Sequence, residues 1–155
     1  MINTQQLDAC VLKFQNQEKE IDKLLDELQT DQALLMDVLV GSHAELLTEE
    51  ELDYLLFLFL VLYGTFKQQI SLPVFSEDEV IKAEEFSWKY INEQNDYDKL
   101  VEIFYAEIPN QDVMEFIDLS IAPDDENEIK ITPPGRLIML AVLTALSHLM
   151  LNLKT

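Results

Sequence analysis

Asp124, Asp125, Glu126 and Glu128 crowd one short run of the chain. Carboxylates at that density could collect a hard cation through their oxygens. A calcium loop of the EF-hand type also needs a central glycine for its sharp turn and a glutamate to close it. This run, Ala-Pro-Asp-Asp-Glu-Asn-Glu-Ile-Lys-Ile, has no glycine, so it reads as a solvated acidic loop. A helical di-iron site would show Glu followed three residues later by His. Neither His43 nor His148 stands at that spacing. With one cysteine and two distant histidines, no zinc cage can be assembled. Cys10 lies in an apolar helical stretch without a neighbouring base, which predicts a buried, inert thiol. His43 reads as a surface residue at a helix junction. His148, between Ser147 and Leu149, reads as a hydrogen-bonded histidine of the core or of a helix end. The chain has no glycine-rich phosphate loop, so no metal and no cofactor is expected.

Arg136 is the only arginine. It follows Thr132-Pro133-Pro134, a strong helix start, so it stands at the positive end of a helix dipole, where a cation is unfavourable. A compensating partner is therefore expected. Asp118 or a carboxylate of the Asp124–Glu128 loop would make a bidentate pair. The other reading of Arg136 is a clamp for an anionic ligand. Arg136 and the four loop acids are thus the candidate contacts for a partner or ligand. Trp88, Tyr90, Tyr97 and Tyr105 could line a pocket, but their spacing is that of ordinary core.

The elements that position these residues read as helices joined by short connections. A first helix covers roughly 4–29, with Leu7, Val11, Phe14, Ile21, Leu25 and Leu28 at spacings of three and four and Glu18 in the one gap. Thr4 is its expected N-cap, and its apolar stripe could also form a dimer seam. Thr30 or Asp31 is expected to cap a second helix, Gln32 to about Val40, stopped by Gly41. Thr48-Glu49-Glu50-Glu51 is a capping box opening a helix over Leu52 to Lys67, apolar on every side from Leu55 to Tyr63. Ser76-Glu77-Asp78-Glu79 is a second box, opening a helix to about Asn92 that should be deeply packed. Asn95 or Asp96 starts the next, which Pro109 ends, and a short one runs from about Gln111 to Ile121. Ala122 to Ile131 is the one real loop. The last helix, Gly135 to about Leu153, should be the central post. The expectation is an all-α fold, a compact helical bundle of six to seven helices forming a single domain over residues 1–155.

Charge divides the inside from the outside. The 155 residues carry 30 Asp and Glu against 10 Lys and Arg, a net charge of −20. Residues 71–130 hold 17 acids and 4 bases, whereas residues 131–155 hold no acid at all. A body this acidic is repelled by phosphate backbones and anionic lipid, which disfavours nucleic acid and membrane as partners. The hydrophobic share of 48% is far above that of a disordered acidic tail. The start of the sequence lacks a basic region followed by an apolar run, and the longest apolar stretches reach about half of a ~20-residue membrane span. A cytoplasmic protein is expected. Three functional classes follow. The first is a non-enzymatic interaction module that engages a basic partner, as inhibitors, immunity proteins and nucleic-acid mimics do. The second is a self-associating helical protein, a homodimer for example, with an exposed apolar face on the first helix or on Leu52–Tyr63. The third is an enzyme using carboxylates such as Glu84, Glu107 and Asp118 in an inter-helical cleft.

Overall fold

The computed structural model describes residues 2–122 and 130–153. Among them the chain forms eight α-helices and one 3-10 helix, and no strand. The α-helices are α1 (Thr4–Asn16), α2 (Glu18–Asp31), α3 (Ala33–Leu39), α4 (Glu49–Gln69), α5 (Glu77–Glu93), α6 (Tyr97–Glu107), α7 (Gln111–Ile121) and α8 (Pro133–Leu151). The 3-10 helix, Gly41–Leu46, joins α3 to α4.

Side-chain oxygens start most of the helices, because the first backbone amides of a helix have no partner within it. The capping boxes at Thr48–Glu51 and Ser76–Glu79 form as the sequence predicts, and Asp96 and Thr132 cap α6 and α8. A third box uses Asn3 and Gln6, so Asn3 rather than Thr4 caps α1. Thr30 and Asp31 cap nothing: α2 runs through both, and Gln32 stands at the start of α3.

The expected first helix is two helices. Gln17 leaves helical geometry, with φ −136° and ψ 83°. A single rod of that length would extend about 39 Å at 1.5 Å per residue and could lay only part of its stripe on a compact core. Breaking at Gln17 lets both halves pack against α4. Leu7, Cys10 and Phe14 of α1 and Leu24 and Leu28 of α2 are buried there. Gly64 of α4 makes the approach possible, since a Cβ on it would lie 3.1 Å from Leu24 Cδ2.

The centre is built by α4 and α8. Every residue from Leu58 to Phe66 and from Ile138 to Ser147 is buried. Leu58–Tyr63 is therefore wrapped by other helices, whereas Leu52, Tyr54, Leu56 and Phe57 are only half-buried. By length and composition α8 could cross a membrane, with a mean hydropathy of 1.5, but 67% of that stretch is buried inside the fold. Helix α5 packs against α8 through small residues, Ala83 and Ser87, flanked by Val80 and Ile91. Its aromatic residues Phe86, Trp88 and Tyr90 are only half-buried, so its wet stripe is broader than expected. Across this interface Ser87 Oγ and Thr144 Oγ1 are 2.8 Å apart, and Thr144 also donates to the Leu140 carbonyl at 2.6 Å.

Candidate functional site

Arg136 is compensated by backbone rather than by a carboxylate. Its Nε donates to the Ile121 carbonyl at 2.7 Å, and Nη2 lies 3.4 Å from the Ile131 carbonyl. Ile121 is the last residue of α7, where unpaired carbonyls and the negative end of the dipole gather. The guanidinium also lies 5.9 Å from the centroid of the Tyr97 ring. No carboxylate among the described residues comes within ion-pair range of it. Asp118 instead accepts from the Tyr105 hydroxyl at 3.0 Å. Burial and that carboxylate push the Tyr105 phenol up to about 12. The Tyr97 phenol is likewise pushed up to about 12, chiefly by burial, and its oxygen has no hydrogen-bond partner among the described residues. Asp124, Asp125, Glu126 and Glu128 lie outside the described residues.

The other chemically able side chains are dispersed. His43 Nε2 is 3.0 Å from Glu84 Oε1, and its ring lies beside Trp88, so it is half-buried rather than free on the surface. His148 stacks on Phe86, with 3.8 Å between ring centroids, and burial lowers its pKa despite the opposing charge of Glu107. Cys10 is buried, and burial pushes its thiol up. Glu84, Glu107 and Asp118 belong to three different helices, and Glu107 is exposed. No cluster of three or more His, Cys, Asp or Glu with metal-binding geometry occurs among the described residues.

One buried carboxylate was legible only as a cap. Glu51, 1% exposed, closes the capping box of α4 and also reaches across to α8. Its Oε2 accepts from both the backbone amide and the hydroxyl of Thr132 at 2.9 Å, and its Oε1 accepts from the Thr48 amide at 2.9 Å. Burial alone would raise its pKa, but these hydrogen bonds outweigh burial and hold it below the ordinary value. A carboxylate shared by two helix N-termini is favoured by both dipoles. Its part is structural, since both of its oxygens are taken up by hydrogen bonds to the two helix starts.

A feature open to a ligand is a groove among α1, α4 and α7, with a volume of about 370 Å³. Successive turns of three helices line it. Leu7 and Leu58 form a buried floor; Val11, Tyr54, Phe57 and Phe116 are half-buried walls. Leu119 stands on its edge at 67% exposure. The Tyr54 hydroxyl donates to the Ser120 carbonyl at 2.6 Å, tying α4 to the end of α7. Asp8, Asp112 and Glu115 line it as well, and among the described residues no base does.

The opposite flank of α1 differs in sign. There a cavity of about 260 Å³ holds Lys13, Lys23 and Lys67 with Glu20 and Glu27. Lys13 pairs with Glu20 at 3.8 Å, and Lys67 pairs with Glu27. That cavity pairs two of its three lysines with its own glutamates, whereas the groove has only acids among its described charged residues. Fold and site together define, among the described residues, an all-α bundle with an apolar groove lined by acids that have no ion-pair partner. No family model, curated protein or solved structure matches this chain.

Proposed function

We propose that this protein is a non-enzymatic interaction module whose acidic surface engages a basic protein partner in the cytoplasm. The observation that carries the reading is the lack of internal compensation. Among the described residues, only Glu20, Glu27 and Asp78 pair with a lysine, and Glu84 with His43. The remaining described acids, Glu51 apart, face solvent or accept neutral hydrogen bonds. A field of one sign steers an oppositely charged partner and makes its binding salt-sensitive. Affinity capture from native lysate, eluted with rising salt, tests this, with the native mass of the bait measured by light scattering. The expected result is a stoichiometric basic protein released at moderate salt from an 18.0 kDa bait. A clean bait of twice that mass would replace this reading with self-association.

A further inference from the structure

We propose that the α1–α4–α7 groove is the docking site, and that its occupant is an amphipathic helix of the partner with an apolar stripe flanked by lysine or arginine. This rests on the reading of the protein as a module for a basic partner and names the surface and the ligand class.

Two independent properties of the groove select that occupant. Its apolar lining repeats at helical spacing: Leu7 and Val11 are one turn apart on α1, as are Tyr54 and Phe57/Leu58 on α4, and Phe116 and Leu119 on α7. Helices that dock in apolar grooves present anchors at i, i+3, i+4 and i+7, with the same spacing between turns. The charge is the second property. Asp8 on α1 and Asp112 and Glu115 on α7 line the groove, Asp112 also accepting from the Thr4 amide at 3.2 Å, so an inserted helix would meet carboxylates from two of the three helices. Two other sizeable cavities each contain Lys67 and lack this one-signed lining. A second copy of this chain is the poorer occupant, because a surface of net charge −20 would be brought against acids. The exposure of Leu119 fits an anchor left for a partner, since a large apolar side chain at a groove edge gains most from being covered.

The test uses two labelled synthetic helical peptides with leucine at i, i+3, i+4 and i+7, one flanked by lysines and one by glutamates. Anisotropy is read with the full chain at low salt. The lysine-flanked peptide should bind and the glutamate-flanked one should not. Asp8→Lys with Glu115→Lys should weaken binding about tenfold or more, because each change turns attraction into repulsion. Leu119→Gln should weaken it by about the same factor at constant charge. Glu85→Lys with Glu93→Lys on α5, equal in net charge but away from the groove, should cost about twofold or less. All four side chains reversed are exposed and free of ion pairs among the described residues, and thermal melts confirm folding of each variant. Equal losses from the two charge pairs would overturn the groove while leaving the basic-partner reading in place. So would a salt-released basic protein in the lysate capture whose binding survives both groove variants. A dimer that Leu119→Gln returns to monomer would overturn the occupant and assign the groove to a second copy. Absence of binding by the lysine-flanked peptide would also overturn the inference.

Discussion

Glu51 shows how one carboxylate can set the geometry of two helix starts. A Cβ on Gly135 would overlap Glu51 Oε2, so the glycine at the start of α8 leaves the room this side chain occupies. Glu51→Ala would strip the Thr132 amide and hydroxyl of their acceptor and remove the box from α4. A loss of roughly 2–4 kcal/mol is expected from the cap and the unmade buried bonds. In a chain of this size that is a fall in Tm of about 5–15 °C. Gly135→Ala alone should also destabilise, because the carboxylate must be expelled. Added to Glu51→Ala it should cost little more, since the obstructed group is gone; a fully additive double variant would contradict the shared site. The pH dependence has a fixed sign. The folded pKa of Glu51 is depressed, so its stabilisation is present above the ordinary value of 4.5 and is lost as pH falls through the folded value. The melting difference between wild type and Glu51→Gln should therefore narrow on acidification below about pH 4.5. Arg136 is a second test at this scale. Arg136→Met removes the donor that closes α7 and should cost roughly 1–3 kcal/mol, whereas Tyr97→Phe should be neutral or stabilising because it deletes a buried hydroxyl with no partner among the described residues. Unchanged stability in Arg136→Met would show that the contact with Ile121 holds nothing together.

At the scale of elements, the break at Gln17 is the feature that most needs checking. Glu18 is the first residue of α2, a position where proline is tolerated because its missing amide has no intrahelical acceptor. Glu18→Pro should therefore cost under about 1 kcal/mol in a melt, whereas within one continuous helix it would cost about 3 kcal/mol or more. The break itself was not readable in the sequence. Neither Pro nor Gly marks it, and its one trace is Glu18 filling a gap in the apolar stripe; the cause lies in the common target of both halves, α4 with its Gly64, which is distant along the chain. The helices with local signals were readable. Thr48, Ser76, Asp96 and Thr132 announce their starts by side-chain chemistry that acts within three residues. The groove was not, because its lining comes from three helices and its acids look like any solvated face until they are seen together. The partner of Arg136 was misread for a related reason: a carbonyl freed at the end of α7 leaves no mark in composition, whereas nearby carboxylates do. Gln32 is another case. Its amide donates to the Pro73 carbonyl at 2.7 Å and accepts from the Phe75 amide at 3.2 Å, tying the start of α3 to the α4–α5 connection.

For the molecule as a whole, the net charge of −20 sets the response to salt. A folded chain of 155 residues has a radius of gyration of about 15 Å. At about 0.02 M salt the screening length is roughly 20 Å, so every surface acid repels every other; at about 0.5 M it falls to roughly 4 Å and only close neighbours interact. Unfolding spreads the charges apart, so repulsion weighs more on the folded state. Salt should therefore raise Tm by several degrees between those two conditions, with sodium chloride rather than sulfate as the salt so that surface exclusion does not mimic the effect. The few exposed ion pairs act in the opposite direction, but pairs of that kind contribute little. Two controls isolate the cause. Near the pI of about 4.1 the net charge vanishes and the gain with salt should vanish with it. Asp8→Lys with Glu115→Lys takes the net charge from −20 to −16, so its gain should be smaller than that of wild type. A Tm that is flat or falls with salt at neutral pH would mean that the acids are spaced widely enough to be harmless in the folded chain. The one-signed field held to recruit a basic partner would then be too weak for that part.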